Sequence, residues 1–386
     1  MERSATELET LARDHATWRV ETISDLDTMR RNAWRWLDVE RDCVDPDAAF
    51  QSFAWCLAWA QTWCSANGPS ELAVKFIYRG ETLVAILPLA VEQVEGVKLL
   101  TMLGHPHTQL ANALTRPDHD ATDGLLLALA EAELTSGADA IQLSAIPQGS
   151  ALAKAATRSR RQVLGDPAEH TSFVTWDGMA NGEDFLSGTS RTFRRDFARK
   201  WRRLRREGKP HFETLDASSY RFSDFVGQAL AMKRDWLNAN GLAGSGLTRT
   251  NTEKFLHALD THDGTFHPEI DILTLDGAPL AFSINITGNG CRNGWLSSYR
   301  LDAARHSPGM LMHHLSIAGA VDAGLSRYEF LGHPTPFKAA MCNGATPLLR
   351  YEQALSTKGR VWLDYWSNGL RQIAVKSYRQ LRRWTR

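Results

Sequence analysis

The sequence predicts an α/β protein made of two tandem lobes, each a mixed, partly parallel sheet flanked by helices. Three observations carry that expectation. The chain has 386 residues, 43% hydrophobic and 23% charged, the balance of a folded protein long enough for two cores. The order hairpin, strand, helix, strand, helix occurs twice along it. One stretch of the first copy, GADAIQLSAIP (Gly137 to Pro147), aligns without a gap on GLSRYEFLGHP (Gly324 to Pro334) of the second.

In the first copy, Glu71 to Tyr78 reads as a strand, Arg79-Gly80 as a turn and Glu81 to Val91 as the returning strand. Lys98 to Leu103 reads as the next strand and Thr122 to Ser136 as a helix. The second copy repeats the hairpin as Glu269 to Asp276, a turn at Gly277-Ala278, and Pro279 to Thr287. The strand Gly294 to Arg300 and the helix Pro308 to Ala323 follow it. Each gapless stretch opens with a glycine suited to a left-handed helix cap. Its closing proline suits the opening of a short helix that carries Lys154 in one copy and Lys338 in the other. A helix between two strands is the crossover of a parallel pair. The lobes are expected over residues 1–180 and 181–386, meeting near 177–187. Ahead of the first hairpin, Trp55, Trp59 and Trp63 stand at helical spacing beside Phe53 and Cys56. They read as a core face, with a sugar-stacking platform as the less favoured alternative.

Charge is balanced overall, 44 Lys+Arg against 44 Asp+Glu, but unevenly spread. Residues 191–209, RTFRRDFARKWRRLRREGK, hold ten bases and two acids, and residues 365–386 hold six bases and no acid. In the first segment Phe193, Phe197, Trp201 and Leu204 share one helical face, so it docks by an aromatic stripe and turns cations outward. A solvated helix packed on its own domain is the equal alternative. The closing segment interleaves Trp and Tyr with bases. It reads as the last helix of the fold, with an anionic membrane surface as the alternative. No zinc-finger, RNA-binding or basic-zipper pattern accompanies either, so nucleic acid is not an expected partner.

Five cysteines without a CxxC pair argue against a disulfide scaffold or structural zinc. The amino terminus lacks a basic-then-apolar leader, and the longest apolar run, Leu83 to Val91, is short and holds Pro88. A cytoplasmic location is therefore expected. His105/His107 and His313/His314 lack metal-ligand spacing. Ser144, Ser150 and Ser187 lack the nucleophile-elbow context. The glycine-rich stretch Gly241 to Gly246 lacks the residues that close a phosphate loop and reads as a mobile loop beside an acceptor.

If the copies share a fold, the working one holds polar groups that the other lacks. Glu329 stands where the first copy has Gln142. Before its crossover helix the first copy offers the acidic DHDATDG (Asp118 to Gly124), whereas the second offers ARHSPGM (Ala304 to Met310). There Ser307 is placed to cap, Pro308 to occupy the first helical position, and Gly309 to let a ligand approach the backbone. A helix start presents amide donors and partial positive charge to a pyrophosphate. Arg300, Arg305 and His306 stand beside it.

The segments RTFRRDFARKWRRLRREG, GWLSSYR, SPGMLMHHLSIAGAVDAG and RYEFLGHPTPFKAAM, with the closing basic segment, resemble the GNAT-like acyltransferases of the CelD/BcsL cellulose-biosynthesis group. That family is similar to the Fem-type aminoacyl transferases, which have tandem GNAT-like lobes. The resemblance is good over residues 185–360 and looser in the first lobe. Glu329 stands where the family usually has Asp, Phe337 where Tyr is usual, and Gly332-His333-Pro334 lacks the common acidic residue.

The resemblance implies an acyl-CoA, acetyl-CoA foremost, held in the splay between two parallel strands of the second lobe. Leu296, Ser297 and Ser298 would face the pantetheine arm. Ser307, Pro308, Gly309 and Met310, with Arg300, Arg305 and His306, would receive the pyrophosphate. Glu329 and His333 are then candidate bases, Tyr299 a proton donor to the leaving thiolate, and Lys338 a stabiliser of developing charge. No metal is implied. The expected function is an acyl-CoA-dependent N- or O-acyltransferase acting on a saccharide or amine precursor of envelope material or exopolysaccharide. Peripheral association with a membrane synthase complex at the inner face of the membrane would accompany it. The alternatives are an aminoacyl-tRNA-dependent Fem-like transferase and a non-catalytic partner of a polysaccharide synthase.

Overall fold

The structure, a computed structural model, describes residues 18–64, 70–159, 162–241, 251–259, 264–332 and 336–367. In the first half the elements are β1 (Trp18–Ile23), α1 (Leu26–Arg31), α2 (Ala33–Asp42), α3 (Phe53–Trp63), β2 (Ser70–Leu72), β3 (Val74–Arg79) and β4 (Thr82–Leu87). They continue through β5 (Leu89–Val94), β6 (Val97–Met102), β7 (Leu114–Thr115), α4 (Thr122–Thr135), β8 (Ala140–Pro147), α5 (Ala151–Arg158) and β9 (Gln162–Thr175). The second half opens with α6 (Gly182–Gly188), α7 (Arg191–Glu207), β10 (Pro210–Asp216), α8 (Phe222–Ala239), α9 (Thr252–His257) and β11 (His267–Leu275). It closes with β12 (Ala278–Gly288), β13 (Cys291–Tyr299), α10 (Pro308–Asp322), β14 (Arg327–Glu329), α11 (Pro336–Met341), β15 (Gly344–Ala354) and α12 (Thr357–Ser367).

The fold is α/β, with tandem lobes. The repeat holds to the residue. The parallel pair β6–β8 begins at Leu99↔Ala140, and the pair β13–β14 begins at Cys291↔Arg327. Ala140 and Arg327 occupy the same position of the gapless alignment. Both copies also turn alike ahead of the pair. Glu95-Gly96 (φ 48° and 83°) joins β5 to β6, and Asn289-Gly290 (φ 46° and 71°) joins β12 to β13. Two successive left-handed residues are what a tight primed hairpin turn requires.

Eleven strands form one sheet in the order β10-β11-β12-β13-β14-β9-β15-β8-β6-β5-β2. Its middle contains an exchange that the repeat does not announce. β9 ends the first copy yet pairs with β14 of the second, and β15 ends the second copy yet pairs with β8 of the first. The two exchanged strands then pair with each other, antiparallel, from Gly344↔Phe173 to Glu352↔Gln162.

Three expectations are corrected. Glu81 to Val91 is not one strand: it breaks at Pro88 into β4, within a four-stranded sheet β1-β3-β4-β7, and β5, within the large sheet. Proline cannot donate to a ladder, so the chain changes sheet there. The turn of the second hairpin is Asp276-Gly277, both left-handed, not Gly277-Ala278. The second strand of the β13–β14 parallel pair, expected over Arg327 to Leu331, ends earlier, at Glu329, with Leu331 and Gly332 left-handed after it (φ 52° and 61°).

The tryptophans of α3 are core residues: Trp55 meets Phe255 edge-on at 4.8 Å and Trp295 at 5.6 Å, so first-half helix packs on second-half elements. A buried carboxylate reinforces that contact. Glu40 of α2 accepts from Phe53 N (2.8 Å) and from Thr265 N (3.0 Å).

Candidate active site

β13 and β14 hold together only over Cys291–Asn293, after which β13 runs on to Tyr299 while β14 stops. The strands therefore diverge, leaving the far length of β13 without a strand partner on that side among the described residues. Side chains take its carbonyls instead. Gln109 Nε2 donates to Trp295 O (3.0 Å), and Lys233 Nζ of α8 donates to Ser297 O (3.0 Å). Leu296 is buried in the core, and Ser298 Oγ donates to Ala229 O of α8 (3.1 Å), while Ser297 is half-buried.

At the end of β13 the Tyr299 hydroxyl accepts from Trp236 Nε1 (3.1 Å), which leaves its own proton to give. Beside it a cleft of about 510 Å³ runs between Gln228, Met232 and Asp235 of α8 and Tyr299–Asp302. A 3-10 turn, Leu301–His306, then leads into α10.

The start of α10 departs from expectation in one respect. Ser307 sits at the cap position, but its backbone is left-handed (φ 53°, ψ 50°) and its side chain makes no capping bond. Its own amide is spent on Ala304 O (2.9 Å), and the Met310 and Leu311 amides both turn back to Ser307 O. Pro308 is buried and has no N–H, so of Ser307, Pro308 and Gly309 only Gly309 can offer an amide outward. A Cβ on Gly309 would lie 3.2 Å from Tyr299 Cδ1, so this glycine is in close approach to the end of β13. The matching helix of the first copy is closed: Asp120 accepts from Thr122 N (3.0 Å), and its hydrogen bonds to Thr122 lower the Asp120 pKa. There a Cβ on Gly124 would lie 2.5 Å from Ile77 and 2.7 Å from the Trp18 ring.

The bases beside this start are paired. Arg300 Nε lies 2.7 Å from Asp302, while Arg305 Nη2 and His306 Nε2 each lie 2.9 Å from Glu207 Oε2 at the end of α7. The aromatic stripe of α7 does dock the helix: Leu204 is buried, Phe193 stacks on His314 at 4.3 Å, and Lys200 Nζ lies 3.0 Å from Met310 Sδ.

Glu329 is fully buried rather than open to an acceptor. Its carboxylate receives Thr171 Oγ1, Leu331 N (3.3 Å) and Arg327 Nη2 (2.6 Å). Burial is the main cause of its raised pKa, opposed by Arg327. Arg327 also pairs with Asp47 of the first half (3.2 Å), whose carboxyl burial pushes up to about 6. Lys338 Nζ donates to Phe330 O (3.2 Å) and to Leu331 O, and burial lowers its pKa. His333 lies outside the described residues, as do Leu242 to Gly246 of the glycine-rich stretch and most of the closing basic segment. His313 is buried, its Nδ1 3.3 Å from Tyr328 OH, and burial pushes its pKa down to about 3, so it is neutral at physiological pH. Among the described residues no group of His, Cys, Asp and Glu has the arrangement of a metal site, and no helix is long and apolar enough to cross a membrane.

The structure thus brings Tyr299, Gly309, Arg305, His306 and Met310 to one corner and leaves Glu329 buried at the end of β14. Lys233, Trp236, Gln109 and Glu207 join the site unforeseen. The i, i+3 spacing of Lys233 and Trp236 puts both on one face of α8 and was the available signal. Gln109 reaches β13 from the other half of the chain and left no local trace.

Residues 191–339 match the family model of the acetyltransferase (GNAT) domain, the segment that runs from α7 into α11. The chain is thus an acyltransferase by its domain type, and such domains use an acyl-CoA, usually acetyl-CoA. Among solved structures, FemX is similar in fold, with 11% identity and a TM-score of 0.57 over 86% of this chain and 97% of that one. A conserved protein of unknown function from Bacteroides thetaiotaomicron is 12% identical, with a TM-score of 0.53 over 86% of this chain and 99% of that one. No curated protein matches the chain in sequence.

Proposed function

We propose that the chain is an acyl-CoA-dependent N- or O-acyltransferase of the CelD/BcsL kind, with acetyl-CoA as donor and a saccharide or amine precursor of envelope or exopolysaccharide as acceptor. The observation that supports it best is the contrast between the two copies. Neither helix start is capped by its N-cap side chain, but at the first copy's start the Asp120 carboxylate takes the Thr122 amide (3.0 Å), whereas among the described residues no carboxylate sits on the Gly309 amide after β13. In this reading the donor's diphosphate meets Gly309 N with Arg305 and His306, and Arg300 lies at the mouth. The thioester arm follows β13 past Ser297, where Lys233 must yield the carbonyl it now holds.

Acyl transfer joins the acceptor nitrogen or oxygen to the thioester carbonyl carbon and breaks the carbon–sulfur bond. The thiolate takes the Tyr299 proton, and the indole N–H of Trp236 steadies the oxygen left behind. Glu329, its oxygens engaged, positions Leu331 and Arg327, and Lys338 holds the same turn through its bonds to the carbonyls of Phe330 and Leu331. His333 remains the candidate base.

Acetyl-CoA at a hundred times its Kd should stabilise the fold by about 2.7 kcal/mol, seen as a rise in Tm. The absence of any shift with CoA thioesters at millimolar concentration would overturn this reading. Once an acceptor is found, Tyr299→Phe should lower kcat by roughly 10²-fold or more and leave donor affinity nearly unchanged. An equal loss in donor binding would instead make Tyr299 a wall of the site.

A further inference from the structure

We propose that Glu207 is a resident competitor for the donor's diphosphate: its carboxylate occupies a phosphate seat made by Arg305 and His306 and must leave for the donor to bind. The inference rests on the acyl-CoA reading above. One oxygen, Glu207 Oε2, lies 2.9 Å from both Arg305 Nη2 and His306 Nε2, immediately ahead of the α10 start. An oxyanion between a guanidinium and an imidazole, facing a helix start without a side-chain cap, stands where a phosphate oxygen would stand.

Two further observations bear on this seat. His306 is only 2% exposed, and its Nε2, which faces Glu207 Oε2, also lies 2.9 Å from Arg305 Nε, so the ring is held at the seat. Glu207 also occupies the last position of α7, the end at which the helix dipole disfavours a carboxylate, so the helix itself gains nothing from it. What holds it is the Arg305 guanidinium and the His306 ring across the gap.

The basic helix thereby acquires a part in the donor site. Arg203 and Lys200 precede Glu207 by one and two turns and lie on the same face. Arg203 Nη1 donates to Arg305 O (3.4 Å), and Lys200 pairs with Asp196 (2.7 Å) while its Nζ touches Met310 Sδ. Once the carboxylate swings aside, these two cations flank Arg305 and His306 around the phosphates. The other exposed arginines of α7 add long-range attraction for a polyanionic donor.

The test compares wild type, Glu207→Gln and Arg203→Ala by calorimetric titration with acetyl-CoA and with S-acetyl-pantetheine, which lacks the diphosphate. Glu207→Gln should lower the Kd for acetyl-CoA about tenfold at low salt, a gain that shrinks as salt is raised. It should leave the Kd for S-acetyl-pantetheine unchanged. Arg203→Ala should weaken acetyl-CoA alone by several-fold. Equal acetyl-CoA affinity in wild type and Glu207→Gln would overturn the inference while leaving the acyl-CoA reading intact, as would a gain shared by both ligands. No binding of acetyl-CoA by either protein would remove both.

Discussion

Arg327→Met is expected to cost the fold about 3–5 kcal/mol, measured as a fall in the denaturant midpoint at constant slope. Arg327 sits between two carboxylates, Asp47 at 3.2 Å and Glu329 at 2.6 Å, with its guanidinium 4.1 Å over the Phe173 ring. Glu329 is fully buried, and Asp47 and Arg327 are each only 14% exposed. Deleting the cation leaves two carboxylates in a poorly solvated place, and they must pick up protons or let water in. The control is the triple change Arg327→Met, Asp47→Asn, Glu329→Gln, which removes the charges together. It should be markedly less destabilised than the single change. A single variant as stable as wild type would show that the cluster is better solvated than its burial implies.

Gly309→Glu should abolish acetyl-CoA binding, raising Kd by at least about 100-fold, while the unliganded protein keeps its fold. The added Cβ meets Tyr299 at 3.2 Å, a contact the ring can relieve by a small shift. The carboxylate then lies at the one amide this helix start can offer and repels the diphosphate. Far-ultraviolet circular dichroism and Tm of the free protein separate the two effects. Unchanged acetyl-CoA affinity in a folded Gly309→Glu protein would place the donor elsewhere.

Much of the scaffold was legible because it is local. The hairpins, crossover helices and capping glycines are written in short-range periodicity and turn chemistry, and the gapless match of Gly137–Pro147 with Gly324–Pro334 sets Ala140 and Arg327, which open the two parallel pairs, at equivalent positions. The exchange of β9 and β15 was not legible, since both strands carry the same kind of pattern and nothing local distinguishes partner sheets. In the site, Ser307-Pro308-Gly309 was visible as a helix start, but the left-handed backbone at Ser307 was not. The environment of Glu329 was hidden for a related reason. Its partners, Thr171 and, through Arg327, Asp47, come from segments far away in the chain, and no spacing rule connects them.

The traded strands make each half incomplete without the other. A cut within residues 177–187 would leave both pieces lacking a strand from the middle of their own sheet, each supplied only by its mate. The duplicated units are therefore bound as an interlocked couple, and a mutation that loosens β9 must be felt at the opposite copy's crossover. Whatever closes around a substrate here has to bend this continuous sheet or move the helices upon it, because the sheet runs unbroken through both halves.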